Sequence, residues 1–149
     1  PGLNERFLNE VLDFKTAERV VTSMEEPEVI GTWMSCGESP HDIAFIKGPQ
    51  GKLHHFAYHL EDWSSILKAG DIFAMDDVPI DIGPTRHGIT RGTTIYFFDP
   101  SGNRNEVFAG LGYRVQHDFP TINWTVDHLA KGIFYHAREL NDAFTSVFT

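Results

Sequence analysis

Turn sequences rich in Gly and Pro divide this chain into short segments, and the segments follow the same order twice. A helix-like run at the start is followed by three β-like segments. After the turn Gly48–Gly51, a strand, a second helix and three more strands follow. We therefore predict an α+β fold of paired βαβββ modules, with the first strand of the first module missing. The repeat is one of elements and not of residues.

The individual helices and strands are predicted from hydrophobic spacing and from the residues that bound each segment. The second helix is predicted to begin after Asp62 as N-cap, to run through Ala69 and to end at Gly70. The first helix carries apolar residues on one face: Leu3, Phe7, Leu8, Val11 and Leu12. The predicted strands are Thr16–Thr22, Val29–Cys36, Asp42–Ile46, His54–Leu60, Pro79–Gly83, Thr93–Phe98 and Arg104–Ala109.

The last two strands and the end of the chain carry further signals. Asp99, Pro100 and Gly102 occupy positions that these residues favour in a type I turn, so a hairpin is predicted. From Trp124 onward we predict a C-terminal helical tail with Asp127 as N-cap. The tail should pack back on the domain because it contains several large apolar residues: Ile133, Phe134, Phe144, Val147 and Phe148.

Composition restricts the class of protein. A chain of 149 residues is expected to form one domain. The formal net charge of −9 argues against nucleic-acid binding, which needs a basic patch. One cysteine, Cys36, excludes an internal disulfide framework and suits a reducing cytoplasm. No apolar run has the length of a membrane span. We expect a cytoplasmic protein with neither nucleic acid nor membrane as a partner.

Histidine is the residue type that points most directly to chemistry, because the chain contains eight. Strand alternation places His55 on the same face as Ala57 and His59. Glu106 lies on the last predicted strand, where burial of a carboxylate is costly unless a cation coordinates it. Taken singly, these residues are explained as well by structural histidines and by a carboxylate that points into water.

The spacing within one stretch narrows these alternatives. From Thr85 to Glu106 the sequence reads TRHGITRGTTIYFFDPSGNRNE, in which His87, Tyr96 and the Asp99 turn precede Glu106. This order resembles the signature of extradiol ring-cleavage dioxygenases, and within them the catechol 2,3-dioxygenases (metapyrocatechases). The family belongs to the vicinal oxygen chelate superfamily, which is built from paired βαβββ modules. The resemblance extends over nearly the whole chain, including LHHFAYHLEDW and IDIGPTRHG.

The resemblance implies Fe(II)-dependent extradiol cleavage of catechol, or a substituted catechol, with O2 to give 2-hydroxymuconic semialdehyde. In this family two histidines and one glutamate hold the iron and leave positions for the diol and O2. His55 matches the second histidine and Glu106 the carboxylate, whereas the first histidine would precede Pro1. Residues 1–149 are therefore expected to be an N-terminally truncated C-terminal catalytic domain, and its activity as a fragment stays open.

The resemblance also implies roles around the metal. His41 aligns with the acid–base histidine, His87 with the histidine that hydrogen-bonds substrate oxygen, and Tyr96 with the tyrosine near the iron-bound hydroxyl. Capping histidines and a packed strand tyrosine are the structural alternatives. Positions that match the aromatic pocket, or that simply pack the core, are Ile89, Ile133 and Phe144. Histidines that match no role are His54, His59, His117, His128 and His136.

Two questions are left open by the sequence. Family members are commonly homotetramers, so a homo-oligomer is expected for a full-length parent. The alternative function is a non-catalytic small-molecule-binding module of the same superfamily. Iron binding would favour the dioxygenase, and ligand binding that ignores chelators would favour the module.

Overall fold

Two four-stranded sheets form the framework of the computed structural model, which describes residues 1–149. A single turn of 3₁₀ helix, Val126–His128, precedes the third α-helix. The elements are α1 Gly2–Leu12, β1 Lys15–Val21, β2 Val29–Ser35, β3 Ile43–Ile46, β4 Phe56–His59, α2 Trp63–Met75, β5 Ile80–Arg86, β6 Thr93–Phe98, β7 Arg104–Ala109, β8 Ile122–Thr125, α3 Leu129–Ile133 and α4 Asp142–Ser146.

Each sheet consists of three successive antiparallel strands and one parallel strand at an edge. The first sheet has the order β3-β2-β1-β8, and β8 runs parallel to β1. The second has the order β4-β7-β6-β5, and β4 runs parallel to β7. The predicted α+β architecture and the order of its two modules are confirmed. The extra edge strand β8 was not predicted, because four residues are too short to show a periodic pattern.

The second helix shows how packing overrides a local stop signal. Asp62 is the N-cap, as predicted, and accepts a hydrogen bond of 2.8 Å from the main-chain N–H of Ser65. The helix then continues through Gly70 to Met75, so the predicted end is wrong. A Cβ at Gly70 would lie 3.3 Å from Cδ1 of Ile95 on the sheet. Gly70 therefore permits close packing of helix on sheet and does not end the helix.

Three further boundaries differ from the prediction by two residues or more. Strand β4 begins only at Phe56, so the two histidines before it lie outside the strand. Strand β5 continues past Gly83 to Arg86, because a register shift between Ile82 and Thr85 accommodates Pro84. Asp127 is not an N-cap, since it lies inside the 3₁₀ turn that Thr125 caps.

The tail closes the core, as predicted. Arg104 is buried and pairs with Asp81 at 3.0 Å. The same guanidinium donates to the main-chain oxygens of Ala143 at 2.8 Å and Val147 at 2.9 Å, which fixes α4. One buried cluster then joins both sheets to the tail: Val20, Trp33, Ile89, Tyr96, Ile133, Phe134 and Phe144.

The first helix leaves most of its apolar face exposed. Leu8 is buried, whereas Leu3 is 81% exposed and Val11 61% exposed. Phe7 and Leu12 are exposed as well. The predicted helix is therefore present, and only one of its five apolar positions enters the core. None of the helices combines the length and the apolar composition needed to cross a lipid bilayer.

Candidate active site

Glu106 lies at the centre of a group of polar side chains on the second sheet. The residue is only 4% exposed, so the alternative in which it points into water is wrong. Its Oε2 atom is 3.1 Å from Nε2 of His55, and its Oε1 atom is 3.3 Å from Nε2 of His87. The hydroxyl of Thr94 donates to Oε1 over 2.5 Å. Three side chains from different parts of the sequence therefore meet at one carboxylate.

Strand register explains how this group forms. Tyr96 on β6 is the direct cross-strand partner of Glu106 on β7. Thr94 shares the face of Tyr96 because side chains two apart on a strand point the same way. On the other side of β7, Ala57 of β4 pairs with Glu106, and His55 lies two residues before Ala57. The sheet thus places donors on both sides of the carboxylate.

His87 follows the end of β5 and is held from two sides. Its main-chain N–H donates to the oxygen of Gly92 over 2.9 Å. Its ring Nδ1 contacts the main-chain oxygen of Ile133, which can only accept, so Nδ1 is assigned as the N–H. Nε2 then faces the hydroxyl of Tyr96 at 3.1 Å. His87 therefore presents Nε2 to the same space as Glu106 and Tyr96.

Burial and neighbouring charges set the ionisation of this group. Burial opposes the ionised form of Glu106, but hydrogen bonds from His55 and His87 offset it and hold its pKa well below the usual range. Burial raises the pKa of Tyr96, and the nearby Glu106 raises it further. Glu106 is consequently an anion and Tyr96 a neutral hydrogen-bond donor over the ordinary pH range.

His41 belongs to the same electrostatic group from the other sheet. It lies just before β3, and its Nδ1 atom is shielded from solvent without a hydrogen-bond partner. Burial lowers its pKa from 6.5 to about 4, against the attraction of Glu106. Electrostatic interactions with His87 and His55 lower this pKa further, whereas Asp42 raises it. His41 is therefore a neutral imidazole with a free nitrogen.

This shifted pKa predicts a pH dependence of stability. The unfolded chain takes up the His41 proton near pH 6.5, whereas the folded chain takes it up only near pH 4. Stability from this group is present above pH 6.5 and falls as the pH is lowered toward 4. In metal-free urea titrations, His41→Asn should reduce the loss of unfolding free energy between pH 7 and pH 5 by about 2 kcal/mol. Replacement of the exposed His117 by Asn should leave this pH-dependent loss unchanged. Equal slopes of unfolding free energy against pH in the two variants would contradict the assignment.

The three predicted pocket residues are all buried in one place. Ile89, Ile133 and Phe144 belong to the core cluster that contains Tyr96. The rings of Phe144 and Tyr96 are 5.1 Å apart between centroids. In this arrangement they pack the core directly beside the polar group. Their role in shaping a substrate pocket stays a prediction.

Two contacting residues were missed by the sequence analysis. Thr94 could have been found, because strand alternation puts it on the face of Tyr96. His54 could not, because a continuous strand would have pointed it away from His55. In the structure the ring Nδ1 atoms of His54 and His55 are 2.6 Å apart. Burial lowers the pKa of His54 to about 4, so its ring is neutral at pH 7.

The donor set fits a divalent transition metal in part. Nε2 of His55 and the carboxylate of Glu106 are an imidazole and an oxygen ligand, the types that non-haem iron and manganese use. The side chain of His55 keeps 23% of its exposure, so the pair can be reached from solvent. No group of three or more His, Cys, Asp or Glu side chains is arranged to hold a metal ion. This chain thus offers two metal ligands, His55 and Glu106, and next to them the hydrogen-bonded pair of His87 and Tyr96.

Comparison with known proteins gives the family. Residues 4–107 match the model of the Glyoxalase/Bleomycin resistance protein/Dioxygenase superfamily. The chain belongs to this superfamily. It is 49% identical over 141 residues, or 94% of its length, to the metapyrocatechase of Pseudomonas sp. strain CF600. The resemblance to extradiol dioxygenases is therefore confirmed.

Two further superfamily relatives bear on fold and metal. The crystal structure of the 2,3-dioxygenase LapB from Pseudomonas sp. KL28 superposes with a TM-score of 0.80, at 48% identity, and covers 85% of this chain and 44% of LapB. A manganese-dependent 2,3-dihydroxybiphenyl 1,2-dioxygenase from Geobacillus genomosp. 3 is 36% identical over 94% of this chain. The predicted vicinal oxygen chelate fold is confirmed. The name of the Geobacillus enzyme states that it depends on a metal, and the metal is manganese rather than iron.

The match covers only part of each relative. The chain spans 45% of the length of the Pseudomonas metapyrocatechase and of the Geobacillus enzyme. The activity and substrates of a whole enzyme are therefore matters for the proposal that follows.

Proposed function

We propose that residues 1–149 form the catalytic, metal-binding domain of an extradiol dioxygenase that cleaves catechol with O2 beside its diol. The observation that carries this proposal is the convergence of His55 and His87 on the buried carboxylate of Glu106, with the hydroxyl of Tyr96 next to Nε2 of His87. A buried group of ionisable side chains adds little stability compared with apolar packing, so a purely structural role does not account for it. The 49% identity to a metapyrocatechase supports the substrate class.

His55 and Glu106 are the residues that would hold the metal, and Fe(II) is the metal we propose. When bound, such a metal favours loss of a catechol hydroxyl proton and brings the diol and O2 to one centre. His87 is assigned to the substrate side rather than to the metal because its Nε2 atom already faces the hydroxyl of Tyr96. Nε2 of His55 has only Glu106 as a neighbour in the polar group.

The remaining residues divide the handling of protons. His41 is neutral, because burial lowers its pKa to about 4, and it has a free Nδ1 atom, so it can accept a proton from the diol. His87 has its Nδ1 hydrogen fixed on the oxygen of Ile133, which orients Nε2 toward substrate oxygen. Tyr96 keeps its proton because burial raises its pKa, and it can therefore donate a hydrogen bond to an anionic substrate. Ile89, Ile133 and Phe144 would shield the ring from water.

Turnover is the direct test. The chain is loaded anaerobically with excess Fe(II), which offsets weak binding by two ligands, and is then mixed with catechol and O2. We expect absorbance of the yellow ring-cleavage product above that of Fe(II) alone. His87→Asn should lower the rate about 100-fold or more, because proton handling at a positioned imidazole contributes this much.

The control is His117→Asn, which changes an exposed histidine and should leave the rate within about twofold. Equal rates for the two variants would remove His87 from the site. A chain that binds Fe(II) and catechol but forms no product would contradict the catalytic proposal and favour a small-molecule-binding module.

A further inference from the structure

His54 lies beside the proposed metal ligand His55 and is held on its other side by the tail. Its Nε2 atom is 2.7 Å from the main-chain oxygen of Phe144, 90 residues away in sequence. Its ring also packs edge-on against the Phe144 ring, with centroids 4.7 Å apart. A carbonyl oxygen can only accept, so Nε2 of His54 must carry a hydrogen.

The opposite nitrogen of His54 then has a lone pair. The guanidinium of Arg104 lies on the side of Nε2, with its NH1 atom 3.4 Å away. The tautomer that the Phe144 oxygen selects presents its Nδ1 lone pair to Nδ1 of His55, 2.6 Å away. His55 must therefore be the donor in this contact, with a hydrogen on its own Nδ1.

This assignment decides which nitrogen of His55 can bind a metal. With Nδ1 of His55 committed to His54, Nε2 is the nitrogen that can offer a lone pair. Nε2 is also the atom that faces Glu106, at 3.1 Å. Any proton that Nε2 shares with Glu106 in the metal-free chain is the one that a metal ion replaces, and the Nδ1 hydrogen stays in place.

We propose that His54 is a positioning residue that fixes the ring orientation and the Nδ1–H form of His55, and that it links this ligand to Phe144 of the tail. The inference rests on the proposed metal site. Ligand histidines usually donate their second N–H to a carboxylate, a carbonyl or water. Here the acceptor is a second imidazole, and the tail sets its orientation through the oxygen of Phe144.

Two substitutions of His54 distinguish a positioning role from a merely structural one. Each of them keeps only one of the two hydrogen bonds that the imidazole makes. His54→Asn places an amide oxygen near the position of Nδ1 and retains the acceptor for His55, but it loses the contact with Phe144. His54→Gln places an amide N–H near the position of Nε2 and retains the contact with Phe144, but it loses the acceptor. Circular dichroism checks that both variants are folded.

The first readout is the affinity for Mn(II) alone, measured by electron paramagnetic resonance of the free ion. We expect His54→Gln to weaken binding about 10- to 100-fold and His54→Asn to stay within about threefold of the wild-type chain. Equal weakening in both variants would overturn the proposal in favour of a packing role. Unchanged binding in both variants would overturn it as well.

The second readout needs no metal. Nitrogen-15 NMR of the histidine rings in the metal-free wild-type chain should show Nδ1 of His55 protonated and Nδ1 of His54 unprotonated. The reverse pattern would overturn the proposal, whatever the metal affinity. Failure of the proposed function gives a different result, namely equal Mn(II) binding by the wild-type chain and by Glu106→Ala.

Discussion

Mn(II) is expected to raise the midpoint of thermal unfolding of the wild-type chain by about 5–10 °C and to leave that of Glu106→Ala unchanged. At an ion concentration of about 100 times Kd, binding to the folded state adds about 2.7 kcal/mol to the unfolding free energy. Glu106 supplies the only carboxylate next to His55, at 3.1 Å, so its removal leaves a single imidazole. One neutral ligand does not retain a hard divalent ion in competition with water.

The comparison is made between the midpoints of each variant with and without Mn(II). Any effect of Glu106→Ala on the stability of the metal-free chain therefore cancels. The matched control is Glu38→Ala, which removes a carboxylate that pairs with Arg114 on the surface, with both side chains more than two-thirds exposed. Glu38→Ala should keep the full metal-induced shift. A shift of equal size in Glu106→Ala would show that the ion binds elsewhere, and the metal assignment would be lost.

The part of the site that sequence could predict lies on regular strands. Strands β6 and β7 have the bounds that were predicted, and the Asp99–Gly102 turn that joins them closes with a hydrogen bond of 2.9 Å. In such a hairpin the turn sets the register of the two strands, and this register pairs Tyr96 with Glu106. The spacing of these residues was therefore sufficient to identify the family and to locate the carboxylate.

The part that sequence could not predict depends on irregular backbone and on contacts distant in sequence. His54 reaches His55 only because neither residue belongs to a strand, and alternation has no meaning outside one. The approach of the tail to His54 spans 90 residues and leaves no local pattern. The four residues of β8 become a strand because β1 offers a free edge beside them. Local signals cannot contain this information, because it belongs to tertiary packing.

Glu18 is a second buried carboxyl group, and it holds the loop that carries His87. Glu18 lies on β1 and is 1% exposed. One oxygen accepts the main-chain N–H of Thr90 at 2.5 Å and the hydroxyl of Tyr113. The other accepts the indole N–H of Trp124 at 2.6 Å. Strands β1 and β8 of the first sheet and the loop after His87 are thus joined at one side chain.

The Thr90 contact matters for the site because the backbone of Thr90 is strained. Thr90 has a φ of 61° and Arg91 a φ of 58°, in the left-handed region that β-branched and long side chains avoid. An N–H held by a carboxyl oxygen compensates for such a conformation. The turn that follows His87 therefore depends on Glu18, although Glu18 is on the other sheet.

Glu18→Ala is expected to lower the free energy of unfolding by about 4 kcal/mol, because three donors lose a shared acceptor and one of them, the main-chain N–H of Thr90, is at a buried position. Glu18→Gln, which keeps one oxygen, should lose less. Urea denaturation measures both values, with Glu28→Ala as the control. Glu28 pairs with Lys47 on the surface at 2.8 Å, and its loss should leave the free energy of unfolding nearly unchanged.

The consequence for the site is separable from the loss of stability. If Glu18 sets the turn after His87, ring NMR signals of His87 should shift in folded Glu18→Gln, whereas those of His55 should not, since His55 is held by His54 and Glu106. A loss of about 1 kcal/mol or less in Glu18→Ala would mean that water replaces the three hydrogen bonds. If the His87 signals do not shift in Glu18→Gln but Glu18→Ala loses much stability, Glu18 stabilises the packing of the sheets and does not set the turn after His87.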